Sequence, residues 1–168
     1  MSKRNCSSSL SRAVTQRGGV YKANLTEGER RPVHKTLRDA LQDLLPGYAA
    51  SEVLDAAHME NIEALAQKVM ASHADVLRDG KFRIGNAQKA LNLHLKFRWC
   101  LGEIQKPPHC PFDSLVLSEI PGWDSYRLTT MDSIKVYASL VAAARRVAGD
   151  NQHLADWELS LYNKIASA

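Results

Sequence analysis

Apolar residues surround most of one predicted helix, which runs from about Asn86 to Leu101. At about 100° per residue its apolar members point in nearly every direction around the axis. They are Ala87, Ala90, Leu91, Leu93, Leu95, Phe97, Cys100 and Leu101. A single polar strip, formed by Lys89, Asn92 and Lys96, interrupts them, and Gly102 stands where a helix often ends in a left-handed residue. The pattern predicts a buried central helix.

Weaker amphipathic patterns lie on both sides of this helix. Apolar residues recur at helical spacing in the stretches 32–45, 51–70, 129–148 and 152–166. Pro32 is placed to open the first of these helices, and Thr129 with Asp132 to cap the third. The apolar run at 115–120 fits either a short strand or one helical turn. We therefore predict an all-α fold, a mostly helical single domain around the central helix, with at most one short strand or turn near 115–120.

Length and composition are those of an ordinary globular protein. A chain of 168 residues has room for one domain with a proper core. Hydrophobic residues make up 45% of it, and no apolar run approaches the roughly 20 residues that span a bilayer. Three cysteines without framework spacing, and no apolar signal-peptide core near the N-terminus, indicate an intracellular protein. We expect a cytoplasmic protein that does not enter a membrane.

The positive charge is concentrated near the N-terminus. Residues 1–25 contain five basic residues and no acidic one, whereas the rest of the chain has 17 basic and 18 acidic residues. A serine-rich segment with few large apolar residues cannot bury enough surface to fold. We predict a disordered basic arm over 1–25, whose Arg12 and Arg17 contact phosphate, and a helical domain over 26–168. A solvated tail and an organelle-import signal are the alternatives.

A second basic segment covers the central helix and the residues before it. Residues 75–106 contain seven basic and three acidic residues. The polar strip of the central helix points in one direction, and two ammonium groups beside an amide suit a phosphate-bearing ligand. The alternative is that this strip is the solvent edge of a core helix. The predicted nucleic-acid-binding residues of the domain are Lys81, Arg83, Lys89, Asn92 and Lys96.

Cysteine and histidine residues follow the central helix but lack the spacing of a metal site. Structural zinc needs four thiolate or imidazole ligands, and only His109 and Cys110 form a close pair, with Cys100 further away. We therefore predict no metal and no cofactor. His94 and Arg98 project onto the apolar side of the helix, where polar groups need partners, and Glu103 or a carboxylate from another helix is the predicted partner of Arg98. A site at the helix rim is the alternative.

The run from Ile84 to Leu95, followed by Pro111-Phe112-Asp113-Ser114, resembles the catalytic stretch of the helix-hairpin-helix DNA glycosylases. In that family a Gly-x-Gly-x-Lys hairpin opens a helix and lets backbone N–H groups approach DNA phosphate. A Val-Asp-Thr or Val-Asp-Ser step follows it. The resemblance implies that Lys89 is the lysine that attacks the sugar and that Asp113 activates it. Ala87 replaces the second hairpin glycine, and the interval from Lys89 to Asp113 is longer than the family's.

These observations favour a small helical nucleic-acid-binding protein, with DNA or RNA as its partner. Binding requires only the basic arm and the basic central segment. The first alternative is a DNA glycosylase or lyase, in which Lys89 and Asp113 are catalytic; otherwise Asp113 is a helix cap or turn residue. The second alternative is a protein-interaction module, a regulator or inhibitor that binds through the acidic face of the predicted helix at 51–70 or through the loop of Trp123 and Tyr126.

Overall fold

The computed structural model describes residues 19–166, except for the side chains of residues 165 and 166. Within this range the chain forms six α-helices: α1 (Glu27–Ala50), α2 (Asp55–His73), α3 (Ile84–Cys100), α4 (Ser114–Ser118), α5 (Ile134–Ala148) and α6 (Leu154–Ala166). Two 3₁₀ turns, Arg78–Gly80 and Leu128–Thr130, precede α3 and α5. Extended pairing in the described range is limited to an isolated bridge between Tyr21 and Leu77. The predicted all-α single domain is confirmed.

Helix α1 begins before Pro32 rather than at it. Thr26 is the N-cap: its Oγ1 accepts a hydrogen bond from the Glu29 N–H at 3.3 Å, and Glu29 Oε2 accepts one from the Thr26 N–H at 2.8 Å. This reciprocal capping box satisfies two amides of the first turn. Pro32 and Pro46 both lie inside α1. The predicted start and end of this helix at the two prolines are therefore wrong.

Part of the predicted basic arm belongs to the folded domain. Val20 and Tyr21 are buried in the core. The Lys22 N–H donates to the Val76 carbonyl at 3.1 Å, and the Arg78 N–H donates to the Val20 carbonyl at 2.9 Å. The predicted boundary at residue 25 is wrong for this stretch, because burying an adjacent valine and tyrosine stabilises the domain more than leaving them in solvent.

Helix α3 is the centre of the fold. It packs against α1, α2, α5 and the Leu128–Thr130 turn. Ten of its 17 residues are buried, so the predicted central helix is confirmed. At its C-terminus Gly102 has a φ of 71°, its N–H donates to the Trp99 carbonyl at 2.8 Å, and the Glu103 N–H donates to the Arg98 carbonyl at 2.9 Å. This is the left-handed ending expected at Gly102.

The segment after α3 contains one predicted helix cap that forms and one that does not. The ambiguous stretch at 115–120 begins in helix α4. Asp113 caps this helix, because its Oδ1 accepts hydrogen bonds from the Leu115 N–H at 3.1 Å and the Val116 N–H at 3.0 Å. Helix α5 does not start in the predicted Thr129–Asp132 box. Its N-cap is Ser133, which makes no side-chain capping bond.

The core is one continuous cluster to which all six helices contribute buried or partly buried side chains. Tyr137, Phe82 and Phe112 are among its largest fully buried members. The cluster extends from the N-terminal pair Val20 and Tyr21 to Trp157 of α6. In the described range, no helix combines the length and the apolar character that crossing a bilayer requires.

Candidate functional site

Helix α3 turns polar residues inward and part of its apolar surface outward. Gln88 and Asn92 are 0% exposed and His94 is 3% exposed, whereas Phe97 is 43% and Leu101 is 65% exposed. The polar strip was predicted to face solvent. This prediction is wrong for its middle residue, because Asn92 lies inside the core and is not available to a phosphate. The cause is a set of polar partners on other helices, which the periodicity of α3 does not reveal.

Asn92 is the centre of a buried hydrogen-bond network. Its Oδ1 accepts a hydrogen bond from His58 Nε2 at 2.8 Å, and its Nδ2 donates to Gln88 Oε1 and to Tyr137 Oη, each at 3.1 Å. Because His58 donates through Nε2, its Nδ1 is the acceptor for Tyr48 Oη at 2.6 Å. One amide thus connects α3 to α1, α2 and α5, and a satisfied polar network of this kind favours one arrangement of the helices.

A second histidine extends the network towards the surface. Tyr137 Oη, which accepts from Asn92, donates to His109 Nδ1 at 2.8 Å. His109 Nε2 lies 3.3 Å from Asp55 Oδ1, so its N–H faces the carboxylate without meeting hydrogen-bond geometry. Both guanidinium nitrogens of Arg145 donate to the Asp55 carboxylate. Together His109 and Arg145 hold the pKa of Asp55 far below its usual range.

Both histidines of the network are neutral near pH 7. Burial, and secondarily the neighbouring His109, lowers the pKa of His58 to about 3. Burial also lowers the pKa of His109, although Asp55 opposes this shift. The two rings are 4.6 Å apart, so a proton on one would face both a low dielectric and the other ring. The network therefore depends on neutral imidazoles and positions α3 rather than exposing a reactive group.

Asp113 is held by helix α6 as well as by the amides of α4. Its Oδ2 accepts a hydrogen bond from Tyr162 Oη. Lys96 lies 4.8 Å from the centre of the Tyr162 ring and donates to both carboxylate oxygens of Glu158, at 2.7 and 2.8 Å. Burial and the Asp113 carboxylate raise the pKa of Tyr162. Lys96 is thus paired with a buried glutamate, which argues against its predicted role as a phosphate contact.

The residue before Lys89 is hydrogen-bonded to the residue before Asp113. Gln88, one residue before Lys89, donates through Nε2 to the Phe112 carbonyl at 3.0 Å and accepts from the Phe112 N–H at 3.3 Å through Oε1. This two-way bond joins the neighbour of Lys89 to the neighbour of Asp113. Two turns further along α3, Lys96 contacts the tyrosine that binds Asp113. Lys89 is partly buried and has no ion-pair or hydrogen-bond partner within the described residues.

The basic residues before α3 are neutralised by acids. Asp132 accepts hydrogen bonds from Lys81 at 3.0 Å and from Arg83, and Arg83 also donates to Asp79 at 2.8 Å. Lys81, Arg83 and Asp132 line a cavity of about 200 Å³ next to α2. Their pairing leaves little positive potential for a phosphate. Lys81 and Arg83 therefore lie beside acidic residues and are not unpaired cations.

The net charge lies outside the described part of the chain. Four of the 22 basic residues and none of the 18 acidic residues precede residue 19, so residues 19–166 carry equal numbers of each. The predicted phosphate contacts Arg12 and Arg17 lie outside the described residues. Within them, the predicted ion pair between Arg98 and Glu103 is confirmed, at 2.6 Å.

The start of α3 is covered, which is at odds with the phosphate-binding hairpin implied by the resemblance. The Gly85 N–H donates to the Met131 carbonyl at 3.1 Å. A Cβ built on Gly85 would lie only 1.8 Å from the Leu128 carbonyl oxygen. Glycine is required there because the Leu128–Thr130 turn approaches so closely. Ala87, at the second hairpin position, is itself fully buried.

The two cysteines of the described residues do not form a ligand cluster. Cys100 is exposed, whereas Cys110 is fully buried and burial raises the pKa of its thiol well above the usual value. Among residues 19–166, no group of three or more histidine, cysteine, aspartate or glutamate side chains is arranged to hold a metal ion. Nucleophilic chemistry at Cys110 would need a thiolate that its buried position disfavours.

Two sets of contacts were not predicted from the sequence. The first is the network around Asn92, for which the available signal was the pair Gln88 and Asn92, one turn apart in an otherwise apolar helix. The second is the set of contacts that α6 makes through Glu158 and Tyr162, which are also one turn apart. In both cases the signal shows that polar groups share a face but not which partners they meet.

No protein-family model matches the chain, and no curated protein or solved structure is significantly similar to it. The resemblance to the DNA glycosylases therefore depends on the residues that carry it. Of these, Lys89 and Asp113 lie on segments that are hydrogen-bonded to each other, whereas the hairpin residues are enclosed by the protein itself.

Proposed function

We propose that the protein binds DNA and acts on it as a glycosylase or lyase, with Lys89 as the nucleophile and Asp113 as the carboxylate beside it. The observation that carries the proposal is the two-way hydrogen bond between Gln88 and Phe112. It holds together two segments that are far apart in sequence. The segments that carry Lys89 and Asp113 are therefore adjacent in the fold despite the long interval between them, which supports a shared site.

The environment of Lys89 supports a reactive role. A lysine amine attacks the aldehyde carbon of an abasic sugar and forms an imine with release of water. Lys89 and Lys96 are the partly buried lysines of the described range, and Lys96 is paired with Glu158. Lys89 has no such carboxylate partner within the described residues, so its amine is free to meet a substrate.

Asp113 supports the reaction electrostatically. Two backbone amides and the Tyr162 hydroxyl fix its carboxylate in one orientation. A carboxylate that is already oriented stabilises positive charge developing on a sugar without having to reorganise. The family resemblance implies in addition that Asp113 activates Lys89.

The charge distribution supports a polyanionic partner inside the cell. All of the net positive charge precedes residue 19, and basic arms bind phosphate backbones through salt-dependent contacts. Because the start of α3 is covered, we expect phosphate contacts from the arm and from side chains rather than from hairpin amides. DNA is favoured over RNA because the resemblance is to enzymes of DNA.

The test is covalent trapping on DNA. We expect the protein to form a borohydride-stable adduct with duplex DNA that contains an abasic site, and Lys89→Ala to abolish it. Lys135→Ala is the matched control, because Lys135 is an exposed lysine of α5. Asp113→Asn keeps a good helix cap and should slow trapping while leaving the fold intact. An adduct that persists undiminished in Lys89→Ala would refute the proposed nucleophile.

Nucleic-acid binding without catalysis is the second candidate. It is favoured by the complete structural role of Asp113, whose carboxylate caps α4 and bonds to Tyr162. On this account wild-type protein forms no adduct, and Lys89→Ala lowers affinity by the small amount expected of one phosphate contact. A salt series with single- and double-stranded DNA and RNA measures that affinity and its slope.

A further inference from the structure

Lys89 lies at the N-terminal end of a face of α3 that is less buried than the rest of the helix. Lys89 and Leu93 are partly buried, and three residues further along the helix are exposed. Their spacing of three and four places them on one side of the helix. We call this face the α3 strip, and its members are Lys89, Leu93, Phe97, Cys100 and Leu101.

The α3 strip is apolar where a surface helix is usually polar. Four large hydrophobic side chains of the described residues are strongly exposed, and two of them, Phe97 and Leu101, lie one turn apart in the strip. Single exposed apolar residues are common, but adjacent ones on the same helix face as an unpaired cation indicate an interaction surface. Helix α3 exposes these two apolar residues and buries the polar Gln88 and Asn92. This is the reverse of the usual distribution, so folding alone does not explain the exposed apolar face.

The charge of the strip selects its partner. Helix α3 contains no acidic residue, and Lys89 is the cation of the strip without a carboxylate partner. An occupant must therefore offer an anion at the head and a flat apolar surface further along. A nucleotide strand with unstacked bases has both. A membrane surface is a poorer match, because adsorption to anionic lipid needs several free cations.

The head of the strip holds a second unmatched polar group. Asn86 precedes Lys89 by one turn and is 7% exposed, and its Nδ2 has no hydrogen-bond partner within the described residues. A buried amide without a partner loses the hydrogen bonds it made to water. An acceptor oxygen or ring nitrogen bound next to Lys89 would restore one of them.

We propose that the α3 strip binds unstacked nucleobases of single-stranded or locally opened DNA, with phosphate or sugar at Lys89 and a base on Phe97. The proposal rests on the proposed function for the identity of its ligand. Lys89 and Phe97 are about 12 Å apart along the helix, against a stacked rise of about 3.4 Å per nucleotide. The strip therefore accommodates more than one nucleotide. Stacking of one base on an aromatic ring is worth about 5- to 150-fold in affinity.

Cys100 gives a direct test, because it is an exposed thiol inside the strip. In a Cys6→Ser variant, native alkylation should modify Cys100 and spare the buried Cys110. An oligothymidylate at ten times its Kd should slow alkylation of Cys100 about tenfold, as simple occupancy requires. The control variant carries Leu54→Cys and Cys100→Ser in addition to Cys6→Ser. Its accessible thiol therefore lies at position 54, outside the strip, where the leucine is 72% exposed. Its alkylation should be unchanged by the oligonucleotide.

A matched pair of variants tests the base contact. Phe97→Ala should weaken binding of fluorescent oligothymidylate at least about fivefold, and Phe97→Trp should retain it. Val147→Ala removes a side chain that is 40% exposed, against 43% for Phe97, and should change affinity less than twofold, about the scatter expected of a surface change. Equal affinity of Phe97→Ala and wild type, or equal protection of both thiol positions, would overturn the proposal.

The outcomes separate this inference from the proposed function. A protected Cys100 without any borohydride adduct at Lys89 keeps the strip as a binding surface and refutes the chemistry. An adduct at Lys89 with an unprotected Cys100 keeps the chemistry and refutes the strip. A wild-type protein that self-associates, and becomes monomeric in Phe97→Ala with no change in DNA affinity, would identify the strip as a protein contact and refute its role in DNA binding.

Discussion

Replacing Gly85 with alanine tests the contact that closes the start of α3. A Cβ at this position would lie 1.8 Å from the Leu128 carbonyl oxygen, 2.7 Å from its carbon and 3.3 Å from the Leu128 Cα. These are backbone atoms, so no side-chain rotation relieves the clash. To reach a normal separation of roughly 3.5 Å, the turn must move away by more than about 1.5 Å.

The expected cost follows from two losses. Overpacking against a backbone costs about 1–3 kcal/mol, and moving the turn also strains the hydrogen bond from the Gly85 N–H to the Met131 carbonyl, worth about 1 kcal/mol. The better helix propensity of alanine offsets at most about 1 kcal/mol. We expect Gly85→Ala to lower the free energy of unfolding by about 2 kcal/mol or more.

Urea denaturation followed by circular dichroism measures this change, and Gly47→Ala is its control. Gly47 lies inside α1, and a Cβ there would meet nothing within 4 Å. Alanine at this site should stabilise the protein by up to about 1 kcal/mol. The two substitutions are thus predicted to have opposite signs. Equal or stabilising effects at both sites would show that the turn does not press on α3.

Three further predictions concern the core and its response to acid. Leu91→Ala, at a fully buried site, should lower the free energy of unfolding by about 2–5 kcal/mol. Phe97→Ala should lower it by less than about 1.5 kcal/mol, because the ring is partly exposed. Equal losses of stability in urea would show that Phe97 is packed. Asn92→Ala removes three buried hydrogen bonds and leaves His58 Nε2 without a partner, so it should cost about 3 kcal/mol or more, measured the same way. Near wild-type stability would refute the network. Stability should be complete above about pH 6.5 and should fall as the pH drops towards 3, because the pKa of His58 is about 3 in the folded protein and near 6.5 in the unfolded chain, which therefore takes up the proton. The lowered pKa of Asp55 adds a further loss of stability below about pH 4. His58→Gln should flatten the dependence of stability on pH between pH 6.5 and 4.5. An unchanged slope would show that His58 is not the titrating group.

The sequence was sufficient where local chemistry decides the structure. Helix α3 was predicted because a long run of strong helix formers ends in a glycine, and Gly102 adopts the expected left-handed conformation. Asp113 was recognised as a candidate cap because aspartate satisfies free amides at a helix start. Helix α1 was misplaced because two signals competed, and the capping box of Thr26 and Glu29 was stronger than the proline.

The orientation of α3 could not be predicted because it depends on distant residues. A helix that is apolar almost all round has no clear buried side, so periodicity gives little guidance. Its polar residues are buried because His58, Tyr137 and the Phe112 backbone supply partners from other parts of the chain. The segment holding Asp113 was likewise brought to Lys89 by a tertiary hydrogen bond and not by local spacing.

The most direct test of the central claim is to identify the residue that carries the trapped DNA. Wild-type protein is incubated with an abasic duplex, reduced with borohydride and digested, and the modified peptide is sequenced by mass spectrometry. The account predicts that the reduced sugar is attached to Lys89, as a secondary amine left by reduction of the imine. An adduct on Lys96, on a lysine outside α3, or on no residue at all would contradict it.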